Sequence, residues 1–301
     1  MSKSIFSIKY YNLFSMQKEI TVVIVLYEEK LDLVFRCLEG IKNFKIIIVD
    51  NAKNISLKKK IEEKFKIYKY ILNKKNIGHA KASNQAIRIC DTEYVLNLNA
   101  DCLISNKDIL KLLESHKKYK NCMITSPTTY NKESKLSYNS GCLPENDDTK
   151  NILRLEGDAC VEYVLGAANL FKKKDIFEIG LFDEKFFLYF ADFELCRRIK
   201  KKRKSVIQIF DAKAQHEHGQ SKVKNIQKRV FVREYNFTFD ELYYFFKINK
   251  HHEKFNSLKK KIPNYIVKSI INLLLLRINQ SIYYFSKIAA FYKFNKLLNN
   301  N

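Results

Sequence analysis

The sequence has no tryptophan, few glycines and prolines, and no long uninterrupted apolar run. Its 301 residues include 7 Gly and 3 Pro, and this scarcity beside abundant Lys, Asn and Ile is typical of an AT-rich genome and predicts no function. No stretch approaches the roughly 20 apolar residues that a bilayer-spanning helix needs. Residues 1–17 have no continuous apolar core of the signal-peptide kind. We therefore expect a cytoplasmic protein, with peripheral contact to the inner face of the cytoplasmic membrane left open.

Cysteine is present but lacks the spacing that metal sites and disulfide frameworks need. The chain has 7 cysteines, an odd number, and no two of them form a C-x-x-C pair. This distribution argues against a zinc site and against a fold held by disulfides, and it favours a reducing compartment.

Acidic residues are outnumbered by basic ones. The 55 Lys and Arg against 32 Asp and Glu give a formal net charge of +23, which favours contact with a polyanion. Nucleic acid, an anionic membrane surface and a phosphate-rich substrate are all compatible with this charge. The basic residues occur in separate clusters rather than in one block, and most such clusters are solvated faces that need no partner.

Apolar runs and helix-like segments alternate over the first part of the chain. The strand-like runs are Ile20–Tyr27, Ile46–Val49 and Tyr94–Leu98, and the helix-like segments are Leu31–Phe44, Leu57–Phe65, Ala80–Cys90 and Lys107–Lys120. This alternation predicts βαβ units and hence the α/β class, with a mostly parallel central sheet flanked by helices. With 46% hydrophobic residues, the chain can bury a substantial core.

The second half changes character twice. Residues 126–158 are rich in Asn, Ser, Asp and Thr and predict loop or irregular edge strand. A strand near Cys160–Phe171, a helix near Phe190–Lys202 and a short strand at Ser205–Phe210 are expected to follow. Beyond Ser221, helical spacing and crowded aromatic residues predict a helical appendage. We therefore expect an N-terminal extension at residues 1–19, an α/β domain at 20–221 and the appendage at 222–301.

Polar side chains stand at the ends of two predicted strands. Asp50 and Asn51 follow one apolar run, and Asn99 and Asp101 follow another. Ligands bind at the carboxyl ends of the strands in an open parallel sheet, so these four side chains should converge on one crevice. Their oxygens suit a hard divalent cation that screens a diphosphate. Taken alone, Asn-x-Asp is also ordinary turn chemistry.

Five further motifs accompany these strand ends in a fixed order. They are Asn76-Ile77-Gly78-His79-Ala80-Lys81-Ala82-Ser83-Asn84, Gly166-Ala167-Ala168, Phe182-Asp183, the run from Phe186 through Asp192 to Arg198, and the run from Ala214 through His216 to Ser221. In this order they resemble the family 2 inverting glycosyltransferases of the GT-A fold, particularly the bacterial rhamnosyltransferase-like branch. The resemblance implies sugar transfer from a nucleotide-diphosphate donor to a saccharide or lipid-linked acceptor.

The resemblance also implies roles for individual residues of the donor site. Those implied to contact the nucleotide sugar are Tyr27, Glu28, Asp50, Asn51, Asn76, Gly78, Asn84, Asn99 and Gly166. Asp50 stands at the position that reads the base. Asp101 and His216 are the implied ligands of Mn²⁺ or Mg²⁺ beside the diphosphate. Two simpler interpretations stay open, since Asp50 also suits a helix cap and His216 an ordinary surface histidine.

Asp192 is the implied general base, because it falls at the aspartate of the family's Glu-Asp pair. Inverting transfer needs a carboxylate that takes the proton of the acceptor hydroxyl while its oxygen attacks the anomeric carbon opposite the leaving diphosphate. The sequence departs from the family at Ala191, where glutamate is usual, and at Asn99, where aspartate is frequent. Asp192 also suits the N-cap of the following helix. The charged residues of that helix are expected to form ion pairs rather than to bind an anionic acceptor: Glu194, Arg197 and Arg198.

The C-terminal stretch from Ile262 to Leu298 interleaves apolar and basic residues at helical spacing. Its apolar positions include Ile266, Ile270, Leu273, Leu274, Ile278, Ile282, Phe285, Ile288, Ala289 and Tyr292, and its basic ones include Lys268, Arg277, Lys287, Lys293 and Lys296. The pattern suits a helix on an anionic membrane surface, which a lipid-linked acceptor would favour. It equally suits a helix that packs on the catalytic domain or on a second copy, so an oligomer is also compatible with the sequence.

The resemblance implies a metal-dependent inverting glycosyltransferase that uses dTDP-rhamnose or a similar nucleotide sugar in surface glycan synthesis. One alternative is a GT-A relative with impaired catalysis that acts as a scaffold, suggested by Ala191. A second alternative is a basic nucleic-acid-binding protein, suggested by the net charge of +23. The ordered acidic strand ends disfavour the second alternative, and we expect no nucleic-acid partner.

Overall fold

The computed structural model describes residues 15–137, 140–146, 156–217 and 225–300. Over these residues the chain forms two compact units. The first contains the described residues up to 184 and those from 192 to 217, and the second contains 185–191 and 225–300. Three features of the sequence analysis lie outside the described residues: most of the expected N-terminal extension, the motif residues 218–221 and the expected boundary after Ser221.

The first unit is built on a large sheet. Its described strands, with those of a small separate ribbon, are β1 (Ile20–Leu26), β2 (Lys45–Asp50), β3 (Lys69–Leu72), β4 (Tyr94–Asn99), β5 (Cys102–Ile104), β6 (Cys122–Tyr130), β7 (Leu136–Ser137), β8 (Ser140–Gly141), β9 (Ala159–Val161), β10 (Tyr163–Val164), β11 (Ala168–Lys172) and β12 (Ser205–His216). The main path of the sheet runs β3-β2-β1-β4-β11-β6-β12-β5.

The strand directions divide this sheet into a parallel half and a mixed half. Strands β3, β2, β1 and β4 are mutually parallel. Strand β11 runs antiparallel to β4 and β6, β12 is parallel to β6, and β5 is antiparallel to β12. β1 is buried along its whole length. This explains its continuous apolar run, because a strand that is covered on both faces has no side chains in contact with solvent.

Helices flank the sheet and close its core. They are α1 (Leu31–Ile41), α2 (Ile55–Glu62), α3 (His79–Ile89), α4 (Asn106–Lys118), α5 (Lys173–Ile179) and α6 (Ala191–Lys201). Apolar residues spaced three or four apart turn one face of α1 and α4 into the core. Ser105 begins α4, since its hydroxyl accepts a hydrogen bond from the Asp108 amide at 3.2 Å. The predicted α/β architecture is therefore present, with a mixed sheet.

Three expectations for the middle of the chain are wrong. Residues 126–130, expected as loop or edge strand, belong to β6, which lies between β11 and β12 inside the sheet. Strand β12 extends to His216 rather than ending at Phe210. The single strand expected at Cys160–Phe171 is divided among β9, β10 and β11.

The hydroxyl groups of β6 explain how a polar strand can be central. Thr125 donates to the Leu112 carbonyl at 3.1 Å, Ser126 to the Ala168 carbonyl at 3.3 Å, and Thr128 to the Ile209 carbonyl at 3.2 Å. Each buried hydroxyl thus has a backbone partner, which removes most of the cost of its desolvation. Polar composition was a poor guide here because the partners come from distant parts of the chain.

The second unit contains three long helices, α7 (Ile226–Lys247), α8 (His251–Leu274) and α9 (Ile278–Asn299). Rings four residues apart stack along α7, with centroids 6.3 Å apart for Tyr235 and Phe239. Asp240, which is fully buried, accepts backbone hydrogen bonds from Leu188 at 3.0 Å and Tyr189 at 2.9 Å. This carboxylate therefore fixes the segment 185–191 against α7. None of the helices in the described part of the chain is both long and apolar enough to cross a bilayer.

Candidate active site

The ends of three neighbouring parallel strands define the site. β1 lies between β2 and β4, with Leu26 opposite Asp50 and Val25 opposite Asn99. Asp50 and Asn99 are therefore two strand spacings apart, or roughly 10 Å. Asp101 follows β4 directly, so the register brings the polar strand ends to one edge of the sheet. Open α/β sheets bind their ligands at this edge.

Asp50 is fully buried at the end of β2 and is held by the backbone that follows it. Its carboxylate accepts hydrogen bonds from the Ala52 amide at 2.7 Å, the Asn54 amide at 3.1 Å and the Tyr70 hydroxyl at 3.1 Å. The cap of α2 is the neighbouring Asn54, whose side chain accepts from Leu57. Asp50 thus shapes the turn after β2, and its acceptor capacity is largely engaged by the protein.

Asn51 connects the end of β2 to the loop before α3. Its side-chain amide donates to the Gly78 carbonyl at 3.2 Å, and its oxygen accepts from Asn73 at 2.9 Å. The Asn76 side chain accepts from the Gly78 amide at 2.9 Å, and Gly78 has a φ of 88°, a conformation that favours glycine. The loop that contains Asn76 and Gly78 is therefore held next to Asp50 and Asn51. It leads directly into the N-terminus of α3, where unpaired backbone amides favour the binding of anions.

Asn84 has a different place from the one expected. It is buried in α3, where its amide donates to the Phe182 carbonyl at 2.8 Å and to Glu184 at 3.1 Å, and its oxygen accepts from the Phe182 amide at 3.0 Å. Both ends of the side chain are engaged by the segment before residue 185. Asn84 therefore ties α3 to that segment rather than offering its amide to a nucleotide.

Asp101 and His216 are brought together by the pairing of β5 with β12. His216 lies opposite Cys102 in that pairing, the residue after Asp101. The His216 Nε2 atom and the Asp101 Oδ1 atom are 3.1 Å apart, and the Asp101 side chain retains 18% of its exposure. The sequence placed these two residues 115 positions apart, and the extension of β12 beyond Phe210 is what lets His216 reach the strand ends.

Glu217 anchors the end of β12 and was missed as a site residue. Its buried carboxylate receives both terminal nitrogens of Arg36, at 2.8 and 3.0 Å, and the Lys132 ammonium at 2.9 Å. The hydrogen bond from Arg36 is the main cause that lowers the pKa of Glu217. Its amide donates to the Asp101 carbonyl at 2.9 Å. Glu217 therefore fixes the backbone on both sides of the Asp101–His216 pair.

Glu29 is a second residue that the sequence analysis missed. Burial, reinforced by the charges of Asp101 and Asp50, raises the pKa of Glu29 to about 8. The Tyr27 amide donates to the Glu29 carboxylate, and Glu28, the neighbour chosen from the sequence, has a positive φ of 60°. Glu29 therefore lies close enough to the two aspartates for their charges to act on it. The adjacent pair of glutamates at the strand end was the available signal.

Asn99 and His79 are neighbours at the end of β4. Burial lowers the pKa of His79, and a hydrogen bond with the Asn99 side chain opposes this effect. The Asn99 amide donates to the Ala167 carbonyl at 2.9 Å. His79 begins α3, and its neutral ring near pH 7 leaves the site without an added positive charge at this point.

Asp192 lies against the backbone of Gly166 in the first turn of α6. A methyl group at Gly166 would be 2.8 Å from Asp192 Oδ1 and 3.0 Å from Oδ2, so only glycine permits this contact. Burial raises the pKa of Asp192 to about 6, while the hydrogen bond from the Gly166 backbone opposes the shift. A carboxylate with this pKa is ionised at pH 7 and basic enough to accept a proton from a hydroxyl under attack.

The charged residues that follow Asp192 are held in ion pairs, as the sequence predicted. Arg198 donates from Nε to both oxygens of Glu194, at 3.0 and 2.9 Å, one helical turn apart. Arg197 donates to Glu145 at 2.7 Å. These ion pairs hold α6 in place within the first unit. Of the two carboxylates in the first turn of α6, Glu194 is neutralised by Arg198, and Asp192 takes no part in these pairs.

The donor set at Asp101 and His216 can be tested against the metal that the fold family implies. Within the described residues, no group of three His, Cys, Asp or Glu side chains is placed to hold a metal ion by itself. One carboxylate and one imidazole 3.1 Å apart still fit Mn²⁺ or Mg²⁺ bound to a diphosphate, because such ions take part of their ligands from substrate phosphates and water. The residues present therefore fit a substrate-dependent cation.

Solved structures identify the fold. The chain superposes on GalNAc-T7 with UDP, GalNAc and Mn²⁺ with a TM-score of 0.55 and 15% identity, covering 75% of this chain and 51% of that one. It superposes on the mannosyltransferase PcManGT of Pyrobaculum calidifontis, in complex with GDP-Man and Mn²⁺, with a TM-score of 0.52 and 13% identity, covering 95% and 93%. The chain thus spans about half of the GalNAc-T7 chain. The GT-A fold expected from the sequence is confirmed.

Sequence comparison completes the assignment. Residues 21–174 match the model of the family described as Glycosyl transferase family 2. Over 216 residues the chain is 29% identical to the dTDP-rhamnosyl transferase RfbF of Shigella flexneri, covering 69% of this chain and 72% of that protein. It is 26% identical over 213 residues to the low-salt glycan biosynthesis hexosyltransferase Agl10 of Haloferax volcanii, covering 66% and 67%.

The fold and the polar strand ends define a nucleotide-sugar glycosyltransferase of glycan synthesis. The chain belongs to glycosyl transferase family 2. The predicted resemblance to the rhamnosyltransferase-like members of that family is confirmed by the similarity to RfbF. Neither the scaffold alternative nor the nucleic-acid alternative gains support from these comparisons.

Proposed function

We propose that this glycosyltransferase transfers a deoxyhexose or hexose with inversion, and that Asp192 is its general base. The observation that carries the proposal is the Asp192 carboxylate, which is held by the Gly166 backbone and has its pKa raised to about 6 by burial. An acceptor hydroxyl needs such a group to remove its proton as the new glycosidic bond forms. No covalent intermediate is required, since one displacement from the face opposite the leaving group inverts the anomeric carbon.

The remaining polar residues divide between two tasks. Asp50, Asn51 and the loop at Gly78 form the end of the crevice proposed to hold the nucleoside, and Tyr27 and Glu28 lie beside it on the turn after β1. Asp101 and His216 would hold Mn²⁺ or Mg²⁺, which would screen the diphosphate charge as it leaves. Glu29, with its pKa raised to about 8, is largely protonated at pH 7 and so adds little repulsion toward the phosphates.

The proposed donor is dTDP-rhamnose or a similar nucleotide sugar. The support is the similarity to a dTDP-rhamnosyl transferase and to a hexosyltransferase of glycan biosynthesis. The proposed acceptor is a hydroxyl of a saccharide or of a lipid-linked glycan. We further propose that the protein works in the cytoplasm with peripheral contact to the inner face of the cytoplasmic membrane, where a lipid-linked acceptor would be presented.

The test is a transfer assay with the full-length protein. The protein is incubated with Mn²⁺, a panel of nucleotide sugars and saccharide acceptors, and release of nucleoside diphosphate is followed with and without acceptor. We expect acceptor-dependent release with one donor and, by NMR, an anomeric configuration opposite to that of the donor. A product of retained configuration would overturn the assigned mechanism. Donor binding without any turnover would favour the scaffold alternative suggested by Ala191.

A further inference from the structure

The turn between α8 and α9 carries an exposed cluster of large apolar side chains. We call this segment, residues 266–276, the hairpin tip. Its exposed members are Ile266, Val267, Ile270, Ile271, Leu273, Leu274, Leu275 and Leu276, whose exposed fractions range from 39% to 82%. Four consecutive leucines at the end of a helix pair are unusual on a surface that faces only water, and such patches mark interaction sites.

The apolar stripe expected along the whole of Ile262–Leu298 is not a single face in the structure. In α9 the packing against the other helices buries Ala290, Phe291 and Phe294. Ile278, Ile282 and Ile288 of the stripe are half-buried. The exposed apolar surface is concentrated at the hairpin tip instead. The C-terminal helices thus pack over most of their length and expose apolar side chains at one end.

The hairpin tip extends beyond the last cross-links between its two helices. The Ser269 hydroxyl donates to the Ser281 carbonyl at 3.1 Å, and the Ser281 hydroxyl donates to the Ser269 carbonyl at 2.8 Å. From Ser269 to Leu276 the chain advances seven residues, or roughly 10 Å at the rise of an α-helix. Amphipathic helices on a membrane bury their apolar side chains to a depth of roughly 5–10 Å at the boundary of headgroups and acyl chains. The length of the tip matches this depth.

The backbone of the turn is also suited to an apolar environment. The Leu275 amide donates to Ile271 at 2.9 Å, the Leu276 amide to Leu273 at 3.0 Å and the Arg277 amide to Asn272 at 2.8 Å. The N–H groups at the end of the hairpin therefore have partners within the turn. The main obstacle to placing a turn among acyl chains is the cost of backbone groups that have no hydrogen-bond partner. Insertion would leave none of these three donors without a partner.

The charge around the hairpin tip selects the partner. After Glu253 the remaining residues of the chain contain nine Lys and Arg and no Asp or Glu. Lys268, in the first turn of the tip, and Arg277, which follows the tip, are both exposed. A second copy of this surface would bring like charges together, whereas an anionic bilayer offers complementary charge at the level of its headgroups.

We propose that the hairpin tip inserts into the headgroup and upper acyl region of an anionic bilayer, with Lys268 and Arg277 at the level of the lipid phosphates. The proposal rests on the peripheral membrane contact of the proposed function and assigns it to one element. It accounts for a chain whose described helices lack a bilayer span yet expose leucines beside lysines. Insertion of one apolar tip with basic flanks gives reversible attachment rather than permanent anchoring.

The absence of tryptophan from the chain permits a direct test. A Leu274→Trp variant of the full-length protein carries a single indole at the tip. With vesicles of phosphatidylcholine and phosphatidylglycerol at low salt, we expect a blue shift of its emission and quenching by lipids brominated on the upper acyl chain. Pure phosphatidylcholine vesicles should give a much smaller effect, since the basic flanks then lack a counter-charge. Unchanged emission with anionic vesicles would overturn the proposal.

A cosedimentation series separates tip insertion from charge alone. Leu274→Gln combined with Leu276→Gln should lower binding of the full-length protein to anionic vesicles at least tenfold. The control, Ile55→Gln with Phe177→Gln, changes two exposed apolar residues of the first unit, 54% and 42% exposed, and should bind like the wild type. Equal binding by both double variants would refute insertion. A wild-type dimer in solution that becomes monomeric in the tip variant would also refute it. Soluble-acceptor transfer by the tip variant should be unchanged, so failure here is distinguishable from failure of the proposed function.

Discussion

The backbone of Gly166 lies so close to the carboxylate of Asp192 that a methyl group there would be 2.8 Å from Oδ1. The contact joins the segment before β11 to the first turn of α6, two parts of the chain whose pairing the residue pattern does not predict. It orients the Asp192 carboxylate, which accepts a hydrogen bond from the Gly166 backbone. The proposed base is thus positioned by a glycine that lies 26 residues earlier in the sequence.

Substitution of this glycine should damage transfer while donor binding is kept. In Gly166→Ala the added methyl group must displace the Asp192 carboxylate, and we expect transfer to fall roughly tenfold or more, because small misplacements of a catalytic group are costly. The control is Gly157→Ala, where a Cβ would meet nothing within 4 Å. Turnover and nucleoside-diphosphate affinity are measured on both variants. Equal turnover of the two would show that the contact does not position the base.

The pH dependence of transfer should report the raised pKa of Asp192. The group has to be ionised to accept a proton, and burial raises its pKa to about 6. Transfer with saturating substrates should therefore be constant well above pH 6 and fall about tenfold per pH unit well below it. A plateau that extends down to pH 4.5 would mean that the catalytic carboxyl has an ordinary pKa and is not Asp192.

Removal of the carboxylate at Asp101 should weaken donor binding only when a divalent cation is present. For Asp101→Ala we expect a loss of roughly 10- to 100-fold in the Mn²⁺-dependent affinity for nucleoside diphosphate, as is usual when a metal-site residue is lost. The matched control is Asp211→Ala, an exposed aspartate on the same strand as His216. Calorimetry with and without Mn²⁺ makes the comparison. An Asp101 variant with full Mn²⁺-dependent affinity would sink the metal assignment.

Loss of the Glu217 charge should lower stability in a pH-dependent way. In Glu217→Gln the bidentate pair with Arg36 is broken, and we expect a decrease of about 1–3 kcal/mol in the free energy of unfolding at pH 7. Hydrogen bonds from Arg36 and Lys132 lower the pKa of Glu217 below its ordinary 4.5. The stabilisation that Glu217 provides is therefore complete above pH 4.5, its ordinary pKa. It is lost as the pH falls through the lower pKa that Glu217 has in the folded protein. The deficit relative to wild type should shrink in that window, and exposed Glu133→Gln should show none.

The strand ends could be predicted because they depend on short-range order. An apolar run that stops at Asp50 or Asn99 shows where a buried strand emerges, and parallel pairing then places both at one edge. Orientation could not be predicted in the same way. Asn84 is engaged by the Phe182 backbone, 98 residues further along the chain. The pKa of Glu29 is raised by burial and by the charges of Asp101 and Asp50, which are distant from it in the sequence.

The longer-range features needed the folded chain. Residues 126–130 looked like a loop because most of their side chains are polar. They can form a central strand because hydroxyls such as those of Ser126 and Thr128 donate hydrogen bonds to carbonyls of distant residues. The contact of Asp192 with Gly166 and the exposure of the hairpin tip likewise follow from packing, which periodicity alone does not determine. In the C-terminal helices, the same apolar spacing describes a buried face in α9 and an exposed one at the end of α8.

The identity of the base is tested most directly by Asp192→Asn, measured for transfer, donor affinity and stability on one preparation. We predict a fall in transfer of roughly 10²-fold or more with donor affinity unchanged, because Asp101 and His216, not Asp192, are assigned to the diphosphate. The free energy of unfolding at pH 7 should not fall and should rise by up to about 3 kcal/mol, since the half-buried carboxyl, with its pKa raised from 3.8 to about 6 by desolvation, is costly to ionise. Wild-type transfer by the asparagine variant would contradict the account and leave Asp192 as a structural residue at the start of α6.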